Sequence, residues 1–317
     1  MGVVDFISLA LATVVWFLIC MVLTVIVHEM GHLVGGLISG YRLSGFAVCG
    51  VILRRQHGKL GLHRYRMQSL NWGQCFMSGD VDTEPKMLIA GGCVINILLG
   101  AVFTILSVLT LSLDEKGVWR LMLLAVPASI NMIMGLANLV GGSPTSDGNT
   151  LKEVRTEDGK KMYNRSMMIT AGLLDGHTYS DMPTELFKYD GNSSLAEEIR
   201  MYEYYRKNET CKTAKDYKEL VKEYGFSGKQ KGFFTEEKET ESEIAKAVFK
   251  KSEENRVGKL PVDGREFLLM MAKADKDDNY NLVKFEYECP MPGVARSVSK
   301  CWDNIKKIRT ERSGEHG

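Results

Sequence analysis

What this sequence lacks first is charge, in three long stretches. Between Phe6 and Val27 there is no Asp, Glu, Lys or Arg, and the same holds from Met87 to Leu113 and from Leu121 to Val140. At about 1.5 Å of helical rise per residue, runs of that length cross a hydrocarbon core of about 30 Å. An imbalance of sign is also missing: 40 basic residues face 39 acidic ones, which excludes a general attraction to nucleic acid. No CxxC pair occurs, and the seven cysteines (Cys20, Cys49, Cys75, Cys93, Cys211, Cys289 and Cys301) are odd in number. That excludes a disulfide framework and a cysteine zinc knuckle, and it fits a reducing compartment for the soluble part. Basic residues ahead of the first apolar run are absent too. The run leads into HEMGHLVGG rather than a small-residue cleavage site, so it reads as a retained helix and not a signal peptide.

The first half of the chain, 1–150, therefore reads as a membrane domain with spans at about 6–38, 87–113 and 119–141. After Gly148 the composition turns to Lys, Glu and Asp with scattered aromatics, as expected of a water-soluble domain over 151–317. The loop 41–85 carries Arg42, Arg54, Arg55, Lys59, Arg64 and Arg66, whereas the second and third spans are joined through Asp114, Glu115 and Lys116. By the positive-inside rule that loop is cytosolic, the N-terminus lies outside and the soluble half lies inside. Within the loop, Phe46 to Leu53 and Lys59 to Tyr65, separated by RRQHG, predict a short β-hairpin. It either lies against the membrane face or is a plain surface hairpin.

The soluble half reads as all-α. Ser194 to Glu197 has the capping-box pattern and opens a segment with Leu195, Ile199, Tyr202 and Tyr205 at helical spacing. Ala214, Tyr217, Leu220, Val221 and Tyr224 repeat the spacing before Gly225. Further helices are expected near 241–252, 266–274 and 298–309. Paired antiparallel helices of a tetratricopeptide-like kind suit these lengths, although no clean repeat of about 34 residues is present.

Chemistry concentrates at His28-Glu29-Met30-Gly31-His32, an H-E-x-x-H pattern. On a helix its two histidines sit one turn apart on one face, placed to share a zinc ion, and Glu29 stands next to the water that such an ion acidifies. A carboxylate there serves as catalytic acid/base, taking the proton of the attacking water and passing it to the leaving amine. An ionisable group in an apolar span costs at least about 2.5 kcal/mol, so its presence calls for a reason; the bland one is a polar patch joining helices. A catalytic zinc has three protein ligands and an open position. Asp147 in the Gly- and Pro-rich turn after the third span is the preferred third ligand, because that span ends on the side where the HEMGH helix ends. Other Asp-Gly pairs occur at Asp158, Asp175, Asp190 and Asp263, of which Leu173-Leu-Asp-Gly is the strongest rival.

HEMGH in the first apolar helix, Ala90-Gly-Gly-Cys-Val-Ile-Asn96 opening the second, and Asn138, Pro144 and Asp147-Gly148 after the third resemble the site-2 proteases, the M50 family of intramembrane metalloproteases. The resemblance covers about 6–150. It implies a three-helix core in a bacterial cell membrane, Zn2+ held by His28, His32 and Asp147, and Glu29 as catalytic acid/base. Asn96 and Asn138 would be supporting polar groups near the metal. The substrate would be a membrane protein or signal-peptide-like segment, unwound and paired with the membrane-associated hairpin. Two departures stand out: Gly92-Cys93 where the family usually has Gly-Pro, and Pro144 three residues before the Asp rather than two. The loop 41–85 is too short for a PDZ domain beside the hairpin, and the C-terminal half lacks the strand pattern of CBS domains.

Two other classes compete. A catalytically inactive membrane adaptor, binding a protein partner through its helical C-terminal domain, has no use for Glu29. A membrane zinc carrier calls for polar residues along the spans, where only Asn96 and Asn131 stand out besides the motif.

Overall fold

The computed structural model describes residues 3–65, 73–110, 115–141, 146–191 and 193–213, with isolated residues of 216–223 and most of 291–304. The chain divides into two compact units, one comprising Met1–Ala171 with Tyr189–Glu198, the other Gly172–Lys188 with Ile199–Gly317.

The first unit is built on three long helices, α1 (Val3–Ile38), α2 (Lys86–Leu109) and α3 (Glu115–Val140). They are long and apolar enough to cross a membrane over Ala10–Ile38, Lys86–Leu109 and Leu121–Val140. Their outward faces keep Leu11, Phe17 and Leu18 on α1, Leu98, Val102 and Ile105 on α2, and Ile133 and Leu136 on α3 exposed. Such a surface suits lipid rather than water. Since lipid gives apolar side chains no reason to prefer protein, contact between such helices depends on close backbone packing. Gly31 and Gly35, spaced GxxxG on α1, supply it. A Cβ on Gly31 would come within 2.4 Å of the Gly91 carbonyl oxygen, and one on Gly35 within 2.1 Å of that of Met87. Gly135 similarly lets α3 approach Cys93 and Ile97 on α2. Asn131 on α3 adds a buried tie to α1, its Nδ2 donating to Thr24 Oγ1 at 3.1 Å.

Between α1 and α2 lies an antiparallel sheet of four strands, β1 (Arg42–Val48), β2 (Val51–Gln56), β3 (Lys59–Arg64) and β4 (Gly73–Ser78), in the order β3-β2-β1-β4. The expected hairpin is present as β2 and β3, within a larger sheet. Phe46 to Leu53 is two strands folded at Cys49-Gly50, and Arg54, Arg55 and Gln56 extend β2 instead of forming a loop. The second turn is His57-Gly58. All four turn residues have positive φ, the two-residue hairpin geometry that matches strand twist; Cys49 and His57 are unusual occupants, so the first turn carried no sequence signal. Met77 of β4 packs with Tyr41 and Leu88, which seats the edge strand against the helices.

Beyond α3, the short α4 (Asp147–Glu153) is pressed against the end of that span, where a Cβ on Gly148 would stand 1.9 Å from the Leu139 carbonyl oxygen. Neither α4 nor α5 (Glu157–Asp175) is among the helices expected from the sequence. The first half of α5 is anchored through the fully buried Asn164. Its Nδ2 donates to the carbonyl oxygens of Val81 and Thr83, and its Oδ1 accepts the Tyr41 hydroxyl. At the start of α6 (Ser194–Thr210) the cap lies one residue earlier than the pattern predicts. Ser193 Oγ accepts from the Ala196 N–H, while the Ser194 hydroxyl donates to Glu153.

In the second unit Leu173, Leu174, Phe187, Ile199 and Tyr204 are buried. The buried Glu209 carboxylate accepts the backbone N–H groups of Tyr179 and Ser180, each at 3.0 Å. Lys300 donates to Asp181 at 2.9 Å and to Thr178 at 2.6 Å. The described residues of the expected helices 214–224 and 298–309 are helical. The helices expected at 241–252 and 266–274, and the turn Gly142 to Thr145 with Pro144, lie outside the described residues.

Candidate metal centre

H-E-x-x-H does on α1 what its spacing dictates. His28 and His32 stack one turn apart, rings 4.7 Å between centroids and nearly perpendicular, with their Nε2 atoms 3.1 Å apart. Asp147, the first residue of α4, brings Oδ2 to 3.3 Å from His28 Nε2 and 3.5 Å from His32 Nε2. Burial works to raise the Asp147 carboxyl, but hydrogen bonds from His28 and the Cys93 thiol help to hold it below its ordinary value. The three side chains could hold a metal ion.

Three features of the site fit a cation. Tetrahedral ligation with bonds of about 2.0–2.2 Å sets neighbouring ligand atoms about 3.3–3.5 Å apart, close to the separations of 3.1, 3.3 and 3.5 Å found here. The orienting contacts are also in place. His32 Nδ1 lies 2.8 Å from the Leu88 carbonyl oxygen, so Nδ1 carries the proton and the Nε2 lone pair faces the other two donor atoms. His28 Nδ1 lies 3.1 Å from Asn96 Nδ2, and Asn96 Oδ1 is buried with no hydrogen-bond partner among the described residues. In that arrangement the His28 proton sits on Nε2, among the three donor atoms. A cation there would move the proton to Nδ1, and a half-turn of the Asn96 carboxamide would then give Oδ1 its missing donor. The third feature is room. Gly92 faces the histidines, and a Cβ on it would lie 2.5 Å from His32 Nε2 and 2.8 Å from His28 Nε2.

Glu29 is buried beside the centre, at 8% exposure. The start of β4 fixes it. The Cys75 backbone N–H donates to its carboxylate, and Gly73 is so close that a Cβ would come within 3.0 Å of Glu29 Oε1. Of the two supporting asparagines, Asn96 reaches the centre through His28. Asn138 stands half-buried near the end of α3 with its carbonyl oxygen against Gly148, and among the described residues its side chain has no hydrogen bond to the three ligand candidates. Asp175, the rival third ligand, ends α5 and pairs with His177 at 3.6 Å. Gly92, Cys93, Gly73 and Cys75 were not foreseen as parts of the site. The Ala90-Gly-Gly-Cys segment carried the only sequence signal, a glycine pair where a helix meets another backbone. Compared against protein-family models, curated proteins and solved structures, the chain has no match.

Proposed function

We propose that the chain is a zinc-dependent intramembrane endopeptidase of the site-2 protease kind, hydrolysing a peptide bond in or near the transmembrane segment of a membrane protein. The observation that carries this is the convergence of His28 Nε2, His32 Nε2 and Asp147 Oδ2 at mutual distances of 3.1 to 3.5 Å, next to Glu29, inside helices apolar enough for a bilayer. Three lone-pair atoms facing one another in an apolar bundle repel unless a proton or cation lies among them. Two nitrogens and one carboxylate oxygen are borderline donors that suit zinc, and three ligands leave one position open.

When bound, zinc acidifies water and polarises a carbonyl. The rest falls to the chain. Glu29, held by the Cys75 N–H and crowded by Gly73, takes a proton from water as the oxygen bonds to the amide carbon. It returns the proton to the leaving nitrogen as the C–N bond breaks, so atoms and charge balance. A helical substrate hides its carbonyls in its own hydrogen bonds and must unwind first. β4 has β1 as its sheet partner and lies at the edge. An unwound segment adding to that edge runs past Gly73 and hence past Glu29. By the basic residues of the sheet segment, the sheet and everything after α3 face the cytosol, and the product is released there.

The test is co-expression of the full chain with candidate single-span membrane proteins. The parent should cleave its substrate and Glu29→Gln should not. Equal cleavage by the two would remove Glu29 from the mechanism and the protease reading with it.

A further inference from the structure

We infer that Cys93 is a positioning residue of the metal centre, a thiol donor that aims the Asp147 carboxylate and does not itself join the ligands. The inference rests on reading His28, His32 and Asp147 as a metal site. Cys93 Sγ lies 3.2 Å from Asp147 Oδ2, the same oxygen that faces both imidazoles at 3.3 and 3.5 Å. The thiol is fully buried, so water does not compete for that oxygen from its side. The donor atoms lying within 4.8 Å of one another belong to His28, His32 and Asp147, and Cys93 is not in the set. Its sulfur is therefore placed to hydrogen-bond to one ligand and not to share the ion with all three.

The chemistry of Oδ2 gives that contact its consequence. A carboxylate oxygen has two lone pairs, and a donor on one leaves the other for a cation while fixing the rotation of the carboxylate. Asp147 depends on such a donor because it stands at the start of a seven-residue helix, not on a long span like the histidines. α2 thereby serves all three ligands from one face: room at Gly92 for the imidazoles, the S–H of Cys93 for Asp147, and Asn96 one turn further on for His28.

The experiment uses the full chain in detergent and reads Zn2+ affinity by chelator competition and the absorption spectrum after Co2+ loading. Cys93→Val keeps the bulk and removes the donor, whereas Cys93→Ser keeps a donor. Val should weaken Zn2+ affinity about ten- to a hundredfold, the usual cost of losing an orienting partner, and Ser should stay within about threefold of the parent. Co2+-loaded parent should show no sulfur-to-metal charge-transfer band. Unchanged affinity in Cys93→Val, equal losses in Val and Ser, or a charge-transfer band in the parent that vanishes in Cys93→Ser would each overturn the inference, the last by making Cys93 a ligand. A His28→Ala variant separates the two claims: if it binds Zn2+ as well as the parent, the metal centre itself is wrong.

Discussion

Buried polar groups cluster in both units of this protein, and the two clusters differ in what they do with their lone pairs. In the second unit every oxygen of the Glu209 carboxylate is met from within: Oε1 by the Tyr179 N–H, Oε2 by the Ser180 N–H and hydroxyl. Lys300 closes the neighbouring cluster through Thr178, Ser180 and Asp181. That network is complete and reads as a structural clasp. In the helical bundle His28 Nε2, His32 Nε2 and Asp147 Oδ2 face one another, while Asn96 Oδ1 lies buried with no hydrogen-bond partner among the described residues. A network with room for a cation and a buried acceptor left over could hold a metal ion; a satisfied one is a staple. Burial and polarity alone do not distinguish them.

The comparison breaks most directly at Asp147. Asp147→Ala should lower Zn2+ affinity more than a hundredfold, because an imidazole pair is a poor substitute for three ligands, and equilibrium dialysis of the full chain would measure it. Gly92→Ala should act almost as strongly without replacing a ligand, since its methyl group would sit 2.5 Å from His32 Nε2. Metal loss with helicity preserved by circular dichroism is the expected result. Asn96→Ala, which removes the partner of His28, should cost about ten- to a hundredfold in metal affinity.

The clasp should respond in stability and not in metal. Glu209→Ala leaves two backbone N–H groups without their acceptor and should cost about 1–3 kcal/mol of unfolding free energy, followed by urea titration, with Zn2+ affinity unchanged. The smallest effect belongs to Asp181. Burial raises its carboxyl, but the Lys300 ammonium and Thr178 outweigh burial and hold it at about 2. A carboxyl depressed in the folded state contributes stability above its unfolded pKa of about 4 and loses it as the pH falls toward about 2. Because Asp181 and Lys300 are both more than two-fifths exposed, at 44% and 42%, Lys300→Met should remove less than about 1 kcal/mol. It should also flatten the pH dependence of unfolding between about 4 and 2.

How far the sequence reveals these regions follows the range of each interaction. The spans and the His28–His32 pair are legible because charge-free length and an i,i+4 spacing are local properties. Asp147 could be chosen over Asp175 because it is tied by a few residues to the end of a span. Cys93, Gly92, Gly73 and Cys75 enter the site only through the approach of α2 and β4 to α1, which the Gly31–Gly91 contact and the sheet register set. Locally, the Gly91-Gly92 pair alone hints at that approach. The β1–β2 turn is not legible because Cys49 occupies a left-handed position where Asn or Gly gives the usual signal. α5 is hard to read because its buried apolar positions, Met162, Ile169, Leu173 and Leu174, are interleaved with the buried polar Asn164, Ser166 and Thr170.

Metal content of the purified full chain is the most direct test of the centre on which the functional reading depends. Elemental analysis should find one zinc per chain in the parent and in Glu29→Gln, and none in Asp147→Ala. A parent that binds no metal, or an Asp147→Ala variant that carries as much as the parent, would contradict the metal centre and the peptidase chemistry built on it.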